Sequence, residues 1–368
     1  MRRTTEVYGP AYLDRVLRVD RPLHAPGGGP PLDQSVDGRG EFTENAGSAL
    51  RLCDPEGGQL TIALPDGWPG PRGTVWLNRP LTPGSPPCHR GATGVDWHDD
   101  LGGMGAGFAV ALGGRLVSVL GPERDATSRT VAALLARFGV AHRPIRVAGQ
   151  TADWTLLVTS GPFGDKLPVG FRGCHAALES LPPDGFPPCD LRVVSSLPNR
   201  LAAQALRAPG ASVRVFAPSL RNMLDRTPPV SEFAGAIDVL CCNRREWNTL
   251  DDREEVAWRV AFLAVTDGPD GSTVRFTTPE GEPGSYHVNA FPRSRPPRDT
   301  NRAGEAYAST LVGTLLDHGW SSGVTDPALA RHAAVRASAA AALELDMREF
   351  GFPAPDAIDA AVRAGCVA

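Results

Sequence analysis

The sequence predicts an α/β fold: a three-layer sandwich whose mostly parallel central sheet lies between helices, with a small β-rich lid or insertion. Three observations carry this reading. From Leu101 onward, apolar strand-like runs alternate with helix-like segments, the pattern of a parallel sheet covered on both faces. Residues 21–98 are instead rich in Pro and Gly, with brief strand-like runs at 59–64 and 74–77, a stretch too long to be one structureless loop. The length of 368 residues, 42% hydrophobic and 21% charged, suffices for one large domain with a substantial core. The chain therefore reads as a single α/β domain over 1–368, with 21–98 as the lid and 154–175 contributing to it.

The first strand is expected at 6–17, where Val7, Tyr8, Tyr12, Leu13, Val16 and Leu17 are apolar and Asp14 interrupts the run near its C-terminal end. Past the insertion, strands are expected at 116–120, 154–158, 191–195, 213–217, 237–241 and 262–266. Helices fall between them at 128–138, 199–207 and 244–250. A hairpin-like pair at 272–276 and 285–288 precedes three helices at 303–317, 327–345 and 355–364. In such a sheet, ligands bind beyond the C-terminal ends of the strands.

Charge narrows the function classes. A formal net charge of −4 without a basic cluster argues against nucleic acid or an anionic membrane as the main partner. Neither an 18-residue apolar stretch nor an apolar segment behind the N-terminal arginines is present, so a soluble, cytoplasmic protein is expected. Seven cysteines scattered among apolar runs fit a reducing compartment. Of 37 basic residues only Lys166 is lysine, which removes the phosphate loop ending in Gly-Lys-Ser/Thr.

The strongest motif is DTNRAGEAY, Asp299 to Tyr307, opening a helix of small and apolar residues. A tight turn into a helix leaves the first backbone N–H groups unpaired at the positive end of the dipole, a natural anion hole. Glu305 at that mouth is placed to take a proton from an attacking hydroxyl. The alternative is that Asp299 or Thr300 merely caps the helix.

This segment resembles the C-terminal signature of the ribokinase-like (PfkB) carbohydrate and nucleoside kinases, Asp-Thr-x-Gly-Ala-Gly-Asp. The resemblance implies that amides at Ala303 and Gly304 bind the transferring phosphoryl group and that Glu305 stands in the place of the catalytic base. Arg302 replaces the first glycine, and Glu305 is one methylene longer than the usual Asp. Asn243-Arg244-Arg245-Glu246 is similar to the family's Asn-x-x-Glu element, implying that Asn243 meets the nucleotide and that Glu246 helps order Mg²⁺, directly or through water; the alternative is an N-cap followed by a solvated charge. Val265-Thr266-Asp267-Gly268 resembles the turn that contacts nucleotide phosphate or ribose, which makes Thr266 and Gly268 candidates. Ser338, on a helix with Ala333, Ala334 and Ala339, would line the adenine slot or simply pack.

The N-terminal half supplies the substrate side of the same resemblance. Asp14 corresponds to the strand carboxylate that accepts from vicinal hydroxyls, its alternative being a salt bridge with Arg15 or Arg18. Gly102 and Gly103 match the two glycines that let a sugar approach the backbone, while Met104 and Gly107 occupy the positions of the family's two asparagines. Lys166, in a chain that otherwise uses arginine, and Arg172 are expected to touch a phosphate, or else to be solvated. The glycine run after Leu101 also invites a dinucleotide-binding reading, but Asp96-Trp97-His98-Asp99-Asp100 carries no strand pattern ahead of it. Cys88-His89, Cys174-His175 and Cys189 lack paired Cys-x-x-Cys spacing and read as chance placement rather than a zinc site. The expectation is an ATP- and Mg²⁺-dependent small-molecule kinase that pairs into a homodimer through lid strand edges. The competing expectation is a catalytically weak nucleotide- or sugar-binding protein derived from such a kinase.

Overall fold

The computed structural model describes residues 3–21, 23, 36–39, 48–70, 72–81, 89–160, 166–294, 301–347 and 350–366. Asp299, Thr300 and Cys88 lie outside them. The chain opens with β1 (Thr5–Tyr8), which turns at Gly9 and Pro10 into β2 (Tyr12–Val19). The single strand expected at 6–17 is thus two strands in two different sheets, because proline removes a ladder donor at the break. There follow β3 (Val36–Arg39), β4 (Ala49–Cys53), β5 (Gln59–Ala63), β6 (Gly73–Leu77) and β7 (His89–Gly102). Then come α1 (Met104–Leu112), β8 (Arg115–Leu120), α2 (Ala126–Arg137), β9 (His142–Arg146), β10 (Trp154–Thr159), β11 (Lys166–Phe171) and the short α3 (Cys174–Ala177).

The remaining elements are β12 (Cys189–Ser195), α4 (Asn199–Arg207), β13 (Ala211–Ala217), α5 (Leu220–Leu224), α6 (Val230–Phe233), β14 (Val239–Asn243), α7 (Arg244–Thr249), α8 (Arg253–Arg259) and β15 (Phe262–Thr266). A hairpin of β16 (Ser272–Thr277) and β17 (Pro283–Val288) leads to α9 (Ala303–Asp317), α10 (Pro327–Glu344) and α11 (Pro355–Ala364).

The main sheet has nine strands in the order β17-β16-β15-β14-β13-β12-β1-β8-β9. It is parallel from β15 to β9 and ends in the antiparallel hairpin. Two cores cover its faces. Val7, Leu116, Val193 and Val215 pack with Phe108, Leu135, Leu311 and Ala334 from α1, α2, α9 and α10. Tyr8, Val117, Val194 and Phe216 pack with Leu201, Phe233 and Val256 from α4, α6 and α8. This is the three-layer sandwich expected, with β9 an addition that the polar run His142-Arg143 concealed.

The β-rich part is a closed eight-stranded barrel, β10-β11-β3-β6-β4-β5-β7-β2, with its own core of Leu17, Leu52, Ile62, Val75, Leu156 and Val169. β10 and β11, in the 154–175 stretch read as contributing to the lid, are strands of this barrel. Because β2 pairs with β10 to close the ring, the strand edges through which a homodimer was expected are occupied within the chain. β7 corrects the reading of residues 96–100: they are strand despite their charges. Arg15 meets Asp99 through two hydrogen bonds of 2.8 and 3.0 Å, and Arg18 pairs with Asp96, so the charges are neutralised across the ladder. A strand therefore does precede the glycine run, but it lies antiparallel in the barrel and not in the parallel sheet, so no βαβ dinucleotide unit forms there.

The passage from barrel to sandwich turns on Gly103, at φ 94° and ψ 130°. A Cβ there would stand 2.5 Å from the carbonyl oxygen of Pro10. Gly103→Ala is expected to destabilise the protein by more than about 2 kcal/mol, since it combines a forbidden backbone angle with a backbone clash. Chemical denaturation of the variant beside the parent checks this.

Candidate functional site

Asn243, Thr266 and Gly268 lie at the C-terminal ends of the parallel strands β14 and β15, whereas Asp14, Gly102 and Lys166 lie in the barrel. β1 ends at Tyr8, and the Gly9-Pro10 turn leads into β2, which carries Asp14. In the barrel Asp14 stands between Thr155 of β10 and Asp100 of β7, its register partners on either side. Its carboxylate lies over Gly102, where an added Cβ would fall 2.2 Å from it. Burial first, and then the Asp100 charge, push the Asp14 carboxyl up to about 6, against the pull of Arg172, Arg302 and the Thr155 hydroxyl. The arginines that might have tied Asp14 into a salt bridge, Arg15 and Arg18, are engaged by Asp99 and Asp96.

α9 begins at Arg302, whose backbone sits in the left-handed region at φ 63°, ψ −4°. The glycine-like conformation of the turn is therefore kept by an arginine, at about 1–2 kcal/mol of backbone strain. Its side chain explains why the turn holds. The guanidinium bonds the fully buried carboxylate of Glu344 at 3.1 Å, lies 3.8 Å from Asp100, and rests over the Phe350 ring at 5.2 Å. α9's hydrogen-bond ladder starts where the Ala306 amide donates to the Arg302 carbonyl, so the amides of Ala303, Gly304 and Glu305 precede it. Gly304 is exposed, and a Cβ there would meet nothing within 4 Å.

Glu305 runs along α1. A Cβ at Gly107 would be 3.3 Å from its Cγ and 3.6 Å from its Cβ. The extra methylene of Glu305 thus occupies the side of α1 that a residue larger than glycine at 107 would crowd. The two departures from the expected signature fit each other.

Asn243 and Glu246 form a reciprocal capping box at the start of α7: the Asn243 amide donates to Glu246 Oε2 at 2.9 Å, and the Glu246 amide donates to Asn243 Oδ1 at 2.8 Å. The capping alternative is realised, yet it leaves Glu246 electrostatically strained. Burial pushes its carboxyl up to about 7, and the charge of Glu305 adds to this, while the bonds to Asn243 and the charge of Arg245 pull it down. Thr266 faces Asn243 across the β14–β15 ladder, and its hydroxyl donates to the Cys242 carbonyl at 3.5 Å. Gly268 opens an exposed turn at φ 55° beyond β15. Ser338 donates to the Asn289 carbonyl at 3.3 Å, which ties α10 to the end of β17.

Asp14, Gly102, Arg302, Glu305 and Glu246 are brought together by this arrangement. Lys166 is not: its backbone pairs with Thr159, four residues along β10 from the partner of Asp14, or about 13 Å at the rise of a strand. Sequence reasoning missed Asp100 and Glu344. Glu344 had a signal, a lone carboxylate closing a run of alanines on α10, where a buried charge demands a partner.

No protein-family profile matches the sequence, and no curated protein does. Solved structures match along nearly the whole chain. The ribokinase of Thermotoga maritima superposes with a TM-score of 0.62 at 15% identity, covering 98% of this chain and 99% of its own. The nucleoside kinase of Methanocaldococcus jannaschii gives 0.61 at 13%, covering 99% of each. The ribokinase of Arabidopsis thaliana, solved with ribose and ATP, gives 0.58 at 14%, covering 100% of each. The fold is thus that of ribokinases and nucleoside kinases. Among the described residues, no helix is long and apolar enough to cross a membrane.

Two outcomes follow. Arg302→Gly relieves the left-handed strain but deprives buried Glu344 of its cation, and is expected to cost about 2–3 kcal/mol net, whereas adding Glu344→Gln recovers most of it; urea denaturation of the three variants checks both. For Glu246, a carboxyl whose folded pKa lies above its unfolded value contributes stability that is complete below about 4.5 and lost as pH rises through about 7. Glu246→Gln keeps the cap and is expected to be more stable than the parent at pH 8 by about 1–2 kcal/mol, discounted for partial exposure, with the advantage gone near pH 4.5. Thermal unfolding across pH measures it.

Proposed function

We propose that this chain is an ATP-dependent kinase that transfers the γ-phosphate to a hydroxyl of a sugar-like or nucleoside-like small molecule. The observation that carries the reading is the left-handed turn at Arg302, which opens α9 with the amides of Ala303 and Gly304 ahead of its hydrogen-bond ladder and sets Glu305 where its charge helps to raise the Glu246 carboxyl. The leading amides of α9 suit an anion, and the two like-charged carboxylates beside them suit a cation. Phosphate and a divalent metal are such a pair. The ribokinase-like fold supports the same assignment.

In this reading the amides of Ala303 and Gly304 receive the transferring phosphoryl group and stabilise charge that spreads over its oxygens. Arg302 shapes the turn that aims them. Glu305 accepts the proton of the attacking hydroxyl, steered along Gly107 toward the substrate side. Glu246 fits Mg²⁺, directly or through water, because a cation offsets the burial that chiefly holds its carboxyl near 7 and the Glu305 charge that adds to it. Bound Mg²⁺ would neutralise phosphate charge. Asn243, Thr266, Gly268 and Ser338 lie on the nucleotide side, at the ends of β14 and β15 and on α10.

Substrate hydroxyls meet the Asp14 carboxylate where it lies over Gly102, with Asp100 beside it. Lys166 is assigned to a substrate phosphate, and Arg172, whose charge acts on Asp14, to the substrate side. With Met104 and Gly107 in place of two asparagines, recognition of the substrate falls to the carboxylates.

The test is substrate-dependent ADP release from MgATP across a panel of sugars, nucleosides and sugar alcohols. Turnover with one class, reduced by at least about 100-fold in Glu305→Gln without a change in thermal midpoint, is the expected result. ATP binding with no turnover across the panel identifies a binding protein instead.

A further inference from the structure

A second group of chemically active side chains lies away from the phosphoryl site, where the barrel returns to the sandwich. Asp153 stands just ahead of β10, and Cys174 and His175 open α3 behind β11. All three are buried, at 0%, 0% and 2% exposure. Val119, in β8 of the main sheet, completes the enclosure: its carbonyl oxygen is 3.3 Å from Cys174 Sγ. One ligand-type atom from each side chain lies within 4.8 Å of the others.

The separations are those of a coordination sphere. Zinc bonds of about 2.3 Å to sulfur and about 2.0–2.1 Å to nitrogen or oxygen set neighbouring ligand atoms of a tetrahedron about 3.3–3.6 Å apart. Here His175 Nδ1 is 3.3 Å from Asp153 Oδ2, Cys174 Sγ is 3.4 Å from Asp153 Oδ1, and Cys174 Sγ is 3.9 Å from His175 Nδ1. Hydrogen bonding alone does not satisfy the group. Asp153 Oδ1 accepts from the Gly173 amide at 2.9 Å and the His175 amide at 3.3 Å, whereas fully buried Oδ2 meets only the His175 ring, 3.3 Å from Nδ1, outside good hydrogen-bond geometry. A buried carboxylate oxygen turned into a pocket shared with a thiol and an imidazole is a donor set without its acceptor.

We infer that Asp153, Cys174 and His175, with the Val119 carbonyl as fourth ligand, bind a structural Zn²⁺ ion. Thiolate and imidazole select zinc over hard cations such as Mg²⁺ and Ca²⁺. On binding, the thiol proton leaves to solvent and the ion takes a carboxylate, a thiolate, a neutral imidazole nitrogen and an amide oxygen, with no open position for water. The ion would clasp β8 of the sandwich to the return from the barrel. Its influence reaches the substrate strand, since the His175 ring meets Tyr12 edge-on at 5.7 Å and Arg172 covers the other ring contact of Tyr12 at 4.6 Å, two residues before Asp14. The assignment is independent of phosphoryl transfer.

The test uses the full chain. Protein refolded with Zn²⁺ and dialysed is expected to retain about one zinc per chain by elemental analysis. Refolding with Co²⁺ should give a thiolate-to-metal charge-transfer band that Cys174→Ser removes. Cys174→Ser and Asp153→Asn should each weaken zinc binding by more than about 10-fold in a chelator competition, and stripping zinc should lower the thermal midpoint reversibly. If the variants fail to fold, the wild-type stoichiometry and cobalt band decide. No retained zinc, or zinc held equally by parent and variants, overturns the proposal.

Discussion

The left-handed turn at Arg302 is the constraint on which the rest of the site depends. It points the first amides of α9 away from the helix ladder, and it is strained for any residue with a Cβ. What holds it is a buried ion pair: the Arg302 guanidinium spans Glu344 on α10 and approaches Asp100 on β7. One side chain therefore ties together the C-terminal helices, the barrel strand beside Asp14 and the turn at the helix mouth. A glycine would meet only the last of these needs. The arginine meets the other two as well, and the stability of the ion pair offsets the backbone strain.

Around that turn the site is assembled from paired exceptions. Glu305 is long for its position, and Gly107 opposite it is small. Asp14 needs room above the backbone, and Gly102 provides it. Charged residues line β7, and arginines of β2 neutralise them. Electrostatics follow the same logic: Asp14 at about 6 and Glu246 at about 7 are both carboxyls held high by burial and by a neighbouring acid. Such groups are costly in the unliganded protein and gain most from hydroxyl donors and cations, which links the folded state to what it binds.

Much of the sandwich was legible in the sequence because its strands are buried on both faces and its helices follow a helical apolar period; the spans 199–207, 262–266, 303–317 and 355–364 are the observed elements residue for residue. The barrel was legible only as β-rich. Its strands are half-exposed, and β7 is held by cross-strand ion pairs that no periodicity reveals. The first strand was misread as one because Val7 to Leu17 is apolar on both sides of Gly9-Pro10, although that dipeptide is itself a turn signal. Within the site, motif residues close in sequence could be read as units, whereas Asp100, Glu344 and the Asp153 cluster act through partners far along the chain. Cys174 and His175 were visible, but the third member, Asp153, joins them only through the return of the barrel.

The most direct measurement is a crystal structure with Mg²⁺ and a non-hydrolysable ATP analogue. The terminal phosphate is expected at the amides of Ala303 and Gly304, the metal on the Glu246 side, and the Glu305 carboxylate between that phosphate and the Asp14 carboxylate. A nucleotide bound elsewhere, or one whose terminal phosphate turns away from the start of α9, would contradict this placement.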